Sequence, residues 1–161
     1  MFPSWWLQNT KDLVIRANNK PFLDSCRVYI NQLADQIRDL QVTHGGPIIM
    51  VQAENEFGSY VAQRPDIPLD QHKKYSSAIR QQLLDAGFDI PMFTSDGTWL
   101  FKGGSIEGAL PTANGEGNIA NLKKAVNQYH DATNRSRQTS DGSLCFCQRY
   151  YESWNDDTRY D

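Results

Sequence analysis

Two glutamates and an asparagine that directly follow an apolar run are the strongest candidates for chemistry in this chain of 161 residues. Residues 47–53 form a short apolar segment, which predicts a strand that is buried on both faces. Glu54, Asn55 and Glu56 come directly after it. Because Glu is almost never buried without a partner, carboxylates at the end of a buried strand indicate a functional site.

The spacing of these side chains leaves their roles open. Side chains alternate along a strand, so Glu54 and Glu56 share one face and Asn55 points to the other, unless the strand end turns as it leaves the sheet. A glutamic acid that faces inward among apolar walls has a raised pKa and can donate a proton near neutral pH, as general acid catalysis requires. The alternative is that both glutamates are solvated residues at a strand end.

Helices and strands that alternate along the chain are expected to position these side chains. Apolar residues spaced three and four apart, with Pro or Gly near the ends, predict helices over residues 22–40, 70–86 and 118–130. Strands are predicted over residues 47–53, 90–97 and 106–110, with a turn over 111–115. This order is typical of an α/β fold with a parallel sheet, whose ligands lie beyond the carboxyl ends of the strands.

Two further features are interpreted as structural. Asp96-Gly97 closes the second predicted strand, and we interpret it as a turn. Trp5 and Trp6 could stack on a sugar ring, but adjacent aromatic residues beside a proline more often pack a loop against a helix.

Histidines and cysteines do not have the spacing of a metal site. The histidines fall in different segments, and the cysteines are odd in number without a Cys-x-x-Cys pair. We therefore predict no metal, no disulfide framework and buried or free thiols. The residues concerned are His44, His72, His130, Cys26, Cys145 and Cys147.

Charge and hydropathy exclude two classes of partner. Lys and Arg total 16 against 19 Asp and Glu, and the net charge of −3 does not fit a nucleic-acid-binding protein. No window approaches the ~20 apolar residues of a membrane span. The first residues have neither a basic stretch nor a long apolar core, so no export signal is predicted in this sequence.

The pattern of elements ends near residue 130. Residues 131–161 are mostly polar and show no period or repeat. We predict a boundary there, with a domain over residues 1–130 and an irregular, non-matching polar tail over 131–161.

The segment around the glutamates resembles the glycoside hydrolase family 35 β-galactosidases. The pattern of that family is Gly-Gly-Pro-Ile, a few apolar residues and then Gln-x-Glu-Asn-Glu-Tyr/Phe-Gly. Residues 45–58 match it closely. Residues 2–7, 93–97 and 110–116 add further resemblance. The resemblance spans residues 2 to about 130.

This resemblance implies a TIM (β/α)₈ barrel enzyme that removes terminal β-linked galactose with retention, without a cofactor. By motif, Glu56 resembles the acid/base, Asn55 the residue that hydrogen-bonds the 2-hydroxyl of the sugar, and Glu54 a supporting residue. The expected partner is a β-galactoside; the oligomeric state and compartment are not assigned, although related enzymes are often exported or lysosomal. A complete barrel typically needs about 250 residues, so we expect an incomplete barrel from roughly the third helix to the sixth helix.

One part of the family pattern is not found. The nucleophile of the family is a Glu on the seventh strand, expected soon after residue 130, where this sequence is polar. Asp131, Asp141 and Glu152 lie in no apolar run, and none of them is assigned as nucleophile. We interpret the tail as unrelated sequence and expect the chain to be inactive by itself. The alternative is a non-catalytic galactoside-binding or protein-interaction chain on the same scaffold.

Overall fold

Helices and parallel strands alternate in the structure, a computed structural model. It describes residues 4–9, 11–97 and 100–114 and the single positions 120, 123, 124 and 127. The helices are α1 (Ser4–Asn9), α2 (Lys20–Ile37), α3 (Phe57–Gln63), α4 (Leu69–Asp85) and α5 (Phe101–Gly104). The strands are β1 (Val51–Asn55), β2 (Met92–Gly97) and β3 (Leu110–Asn114). This arrangement confirms the α/β class that the sequence predicts.

The strands form one parallel sheet in the order β1-β2-β3. The register pairs Val51 with Met92 and Asn55 with Ser95 and shifts between Gln52 and Glu54, so β1 contains an irregularity at its middle. Because the strands are parallel, their carboxyl ends meet at one edge of the sheet, and the Glu-Asn-Glu segment lies at that edge.

The long helix α2 begins at Lys20, two residues before the predicted residue 22. The side chain of Asn19 caps it by accepting a hydrogen bond from the amide of Phe22 at 3.1 Å, and a proline occupies its first turn. The α-helix ends at Ile37 rather than at the predicted residue 40, because Arg38–Leu40 tightens into a 3₁₀ turn.

Aromatic side chains form the core directly behind the end of β1. Phe57 is 1% exposed and Tyr75 is 3% exposed. The Phe57 and Tyr75 rings lie 4.9 Å apart, and Phe22 of α2 approaches Tyr75 at 5.9 Å. The core therefore joins α2, α3 and α4 immediately beneath the candidate site residues.

Two strands lie a few residues later than predicted. Residue 48 pairs with Gln41 in an isolated bridge, and Gly45 adopts a left-handed turn, so the ladder with β2 begins only at Val51. The predicted strand over 106–110 is wrong at residues 106–109, because the Ala109 amide donates to the Ile106 carbonyl oxygen in a turn and β3 begins only at Leu110. The predicted turn over 111–115 is wrong at residues 111–114, which belong to β3 and where Pro111 pairs with Thr94 inside the sheet; residue 115 lies outside the described residues.

The last predicted elements lie mostly outside the described residues. Positions 120, 123, 124 and 127, within the helix predicted over 118–130, are helical. The boundary at residue 130 and the tail over 131–161 lie outside the described part of the chain. No helix in the described part is long and apolar enough to span a membrane.

Candidate active site

Glu56 is the single residue between β1 and α3, and its backbone is left-handed with φ 50°. This conformation costs a residue with a side chain roughly 1–2 kcal/mol, so the surrounding structure has to stabilise it. It turns the chain from the sheet into the helix. The side chains of Glu54 and Glu56 therefore need not share one face, as they would in a continuous strand. The Glu56 side chain is exposed at the carboxyl end of β1, not enclosed by apolar walls, because the chain turns there.

Hydrogen bonds stabilise the backbone on both sides of this turn. The Glu56 amide donates to the carbonyl oxygen of Ser95 in β2 at 2.6 Å, and the Glu56 carbonyl accepts from the Ser59 amide at 3.1 Å. The Gly58 amide, in the first turn of α3, donates to the Asp96 carboxylate at 2.7 Å. The position of Glu56 is therefore determined by both β2 and α3.

Glu54 is an ion-pair partner rather than a solvated carboxylate. Arg16 donates from Nε to Oε1 at 3.0 Å and from Nη2 to Oε2 at 3.1 Å. The Tyr75 hydroxyl donates to Oε1 at 2.8 Å, and the backbone amide of Asn55 donates to Oε2 at 2.7 Å. The Glu54 side chain is 13% exposed, and both of its oxygens have donors. Burial, followed by the charge of Glu54 and the hydrogen bond to it, raises the pKa of Tyr75, which therefore stays a donor.

Arg16 reaches this site from the loop between α1 and α2. Its guanidinium lies over the rings of Phe57 and Tyr60, at 5.2 Å from each centroid. Sequence reasoning missed Arg16 and Tyr75, because neither lies near the glutamates in sequence. The available signal is the rule that a buried carboxylate needs a charged or hydrogen-bonding partner, which does not say where that partner is.

Asn55 lies beside Glu56 at the exposed rim. Its side-chain Oδ1 accepts a hydrogen bond from Gln52 Nε2 at 2.9 Å, which orients the amide. Asn55 and Glu56, which the sequence assigns to sugar binding and proton transfer, are therefore both exposed at the end of β1, whereas Glu54 is mostly buried beneath them.

Asp96 is a buried carboxylate at the end of β2, so its interpretation as part of a turn is wrong. It is 1% exposed, and both it and Gly97 pair with β3. Burial raises the pKa of Asp96, while the Gly58 amide and the charge of Lys73 oppose that rise. The Lys73 ammonium donates to the carbonyl oxygens of Gly103 and Ser105, and burial lowers its pKa. Asp96 thus joins α3 to the sheet next to the turn at Glu56.

The remaining singled-out residues have structural surroundings. Trp6 packs on Phe22 and donates from Nε1 to Ser25 Oγ at 3.2 Å, as the packing interpretation predicts; the side chain of Trp5 lies outside the described set. His72 is buried with its ring edge against Phe57.

The remaining thiol and histidine positions give no metal site in the part of the chain that the structure describes. His44 lies at the surface, 3.5 Å from an Asp89 oxygen. Cys26 has a free, half-buried thiol whose pKa is raised to about 11 by burial and then by the charge of Glu54. Among the described residues, no three His, Cys, Asp or Glu side chains come together so as to hold a metal ion. His130, Cys145 and Cys147 lie outside that set.

Comparison with known proteins gives a single family. A family model described as "Glycosyl hydrolases family 35" matches residues 2–159. "Beta-galactosidase-1-like protein 3" of Rattus norvegicus is 38% identical over 112 residues, which cover 70% of this chain and 16% of that protein. "Beta-galactosidase" of Xanthomonas manihotis is 36% identical over 110 residues, 68% of this chain and 17% of that enzyme. "Beta-galactosidase-1-like protein 3" of Homo sapiens is 29% identical over 154 residues, 96% of this chain and 20% of that protein. The chain thus spans about a sixth to a fifth of the length of these relatives.

Proposed function

This chain belongs to family 35 of the glycosyl hydrolases, a family of TIM-barrel enzymes, and we propose that it is a segment of the catalytic barrel of a retaining β-galactosidase. Its parallel sheet supports this assignment to part of such a barrel, from roughly the third to the sixth helix. The proposed substrate is a terminal, non-reducing β-D-galactosyl residue, as the names of the relatives suggest.

Glu56 is the proposed acid/base. The observation that carries this proposal is its exposed carboxyl on a stabilised left-handed turn at the carboxyl end of β1, where ligands of parallel α/β folds bind. In the first step the nucleophile carboxylate of the complete enzyme attacks the anomeric carbon, while the Glu56 proton passes to the departing glycosidic oxygen. In the second step water attacks the same carbon and displaces the nucleophile, and the Glu56 carboxylate accepts the proton of that water.

Asn55 and Glu54 have proposed roles beside it. Asn55 donates from its side-chain amide to the 2-hydroxyl of galactose, a contact that strengthens in the transition state. Glu54 supports Asn55 through the hydrogen bond from the Asn55 amide. Because both Glu54 oxygens accept hydrogen bonds, and Arg16 pairs with them, Glu54 is poorly suited to be the nucleophile.

Activity also needs a second carboxyl group. A retaining enzyme places its nucleophile about 5–5.5 Å from the acid/base. We assign no residue of this chain to that role, and propose that the domain covers residues 1–130, that the tail covers 131–161 and that the chain alone does not turn over galactosides. The match of the family model through residue 159 does not place a boundary at residue 130.

The test of Glu56 uses a full-length member of the family with Gln introduced at the position that matches Glu56. General acid catalysis contributes about 10²- to 10⁴-fold, so kcat on 4-nitrophenyl β-galactoside is expected to fall by that factor. Gln at the position matching Glu107, an exposed residue in the turn before β3, is the matched control. If the Glu56 variant keeps kcat within about tenfold of the wild type, the assignment is wrong.

A second experiment separates the enzyme segment from the non-catalytic alternative. Thermal unfolding of the chain itself is measured with and without galactose. Release of 4-nitrophenol from 4-nitrophenyl β-galactoside is measured in the same preparation. Galactose-dependent stabilisation that Asn55→Ala abolishes supports a galactoside site at β1. Stabilisation that survives Asn55→Ala places the ligand elsewhere and favours the binding-module alternative.

A further inference from the structure

The peptide group that joins Asn55 to Glu56 is hydrogen-bonded at both of its polar atoms. Arg16 Nη2 donates to the Asn55 carbonyl oxygen at 2.9 Å, and the Glu56 amide donates to the Ser95 carbonyl oxygen at 2.6 Å. Since a peptide group is planar, two bonds on opposite sides fix the orientation of the whole unit. The backbone that carries both proposed site residues is therefore held between Arg16 and β2.

Arg16 also acts on Asn55 from the other side, through Glu54. The Asn55 amide donates to Glu54 Oε2, and the same carboxylate receives two N–H groups of Arg16. A guanidinium that engages a carboxylate through two parallel bonds fixes its orientation as well as its charge. Both backbone polar groups of Asn55 thus depend on Arg16, one directly and one through Glu54.

The position of Arg16 itself is fixed by the next element. Its guanidinium lies 5.2 Å from the ring centroids of both Phe57 and Tyr60, two stacked rings of α3. The Tyr60 hydroxyl in turn donates to the carbonyl oxygen of Ile15, the residue before Arg16. Arg16 therefore contacts the chain on both sides of Glu56, at the strand end and at the helix start, and spans the left-handed turn.

We propose that Arg16 is a positioning residue that holds Asn55 and Glu56 in the geometry for sugar binding and proton transfer. This inference rests on the proposed function of those two residues. Arg16 touches neither substrate nor reacting atoms in this role. It stabilises the strained backbone conformation that places them, and its loss is expected to loosen the strand end more than the rest of the fold.

Amide hydrogen exchange of this chain, followed residue by residue by NMR, tests the proposal. In Arg16→Gln, exchange at Asn55 and Glu56 is expected to accelerate at least about tenfold more than exchange at Leu83 in α4. Arg16→Lys keeps the charge but not the two parallel bonds, so a partial return toward wild-type rates is expected. Arg27→Gln, which removes an exposed ion pair with Asp24 on α2, is the matched control and is expected to leave the strand end unchanged.

Two results would overturn the proposal. Equal acceleration at Asn55, Glu56 and Leu83 would show that Arg16 contributes only to overall stability, and unchanged rates at Asn55 and Glu56 would show that it does not hold them. If Arg16→Gln does not fold, the same comparison is made in Arg16→Lys, where preferential acceleration at the strand end supports the proposal and uniform rates contradict it.

A ligand titration keeps this inference separate from the proposed function. Isopropyl β-thiogalactoside, which resists hydrolysis, is added to the wild type and to Arg16→Lys. The NMR chemical shift of the Asn55 backbone amide is followed during the titration. A shift in the wild type with weaker affinity in the variant supports both proposals. If the wild type shows no shift, the galactoside site is contradicted in this chain, while the exchange rates still decide whether Arg16 holds the strand end.

Discussion

Replacement of Tyr75 by Phe removes one hydroxyl from the Arg16–Glu54 network and leaves the aromatic core in place. Tyr75 is 3% exposed, and its ring contacts those of Phe22 and Phe57. Its hydroxyl donates to Glu54 Oε1 at 2.8 Å. Because Phe keeps the ring and its packing, the change in stability reports mainly on this hydrogen bond.

The size of the expected effect follows from the charge of the acceptor. Hydrogen bonds to charged groups contribute about 1.5–3 kcal/mol, against about 0.5–1.5 kcal/mol for neutral pairs. Glu54 keeps its bonds to Arg16 and to the Asn55 amide, so no buried charge is left without partners. We therefore expect a loss near the lower limit, about 1.5–2 kcal/mol in the free energy of unfolding, measured by urea denaturation.

Tyr60→Phe is the matched control for this measurement. The Tyr60 hydroxyl donates to a neutral acceptor, the Ile15 carbonyl, at 3.2 Å, and accepts a long hydrogen bond of 3.3 Å from the exposed Arg64 guanidinium. Its removal is expected to reduce stability by about 0.5–1.5 kcal/mol. If Tyr75→Phe is no more destabilising than Tyr60→Phe, the Glu54 carboxylate does not form the charged centre of the network, and the reasoning about this site is refuted.

Two further predictions concern the buried carboxylate beside the turn. Burial raises the pKa of Asp96 above its ordinary 3.8, so the folded state binds the proton more tightly than the unfolded chain, and this contribution to stability is lost as pH rises through the folded pKa. The unfolding free energy of Asp96→Asn minus that of the wild type is therefore expected to increase between pH 3.5 and pH 7 in urea denaturation; a constant or decreasing difference contradicts this. A Cβ on Gly104 would lie 2.1 Å from both Asp96 carboxylate oxygens, so Gly104→Ala is expected to lose more than about 2 kcal/mol of stability. Gly97→Ala, whose Cβ would meet Leu100 at 3.6 Å, is expected to lose less than about 1 kcal/mol, and equal losses would argue against a tight contact at Asp96.

The two glutamates of the motif show how tertiary partners separate identical side chains. Glu54 is mostly buried and bonded to Arg16 and Tyr75, while Glu56, two residues later, lies exposed at the rim. Their spacing suggests a shared face, but the left-handed turn at Glu56 places the second glutamate differently. The ion-paired carboxylate of Glu54 fits the proposed supporting role, and the accessible carboxylate of Glu56 fits the proposed role in proton transfer.

Much of the fold follows from local sequence signals. Apolar spacing predicts α2 and α4 to within a few residues, because amphipathic helices carry their period in the sequence, whereas the N-cap of α4 is Pro68 and not the expected Asp70. Strand bounds are less accurate, since the ladder begins where a partner strand allows it. β1 starts at Val51 because Met92 is opposite, and β3 takes in Pro111 although proline suggests a turn.

The sequence by itself determines the α/β order of elements, the glutamates at a strand end and the resemblance that gives the family, because these depend on neighbours along the chain. Only the tertiary structure decides that Arg16 and Tyr75 surround Glu54, and that Asp96 is buried at the end of β2. These contacts join residues 21 to 38 positions apart, and no local period encodes which distant cation or hydroxyl satisfies a buried carboxylate.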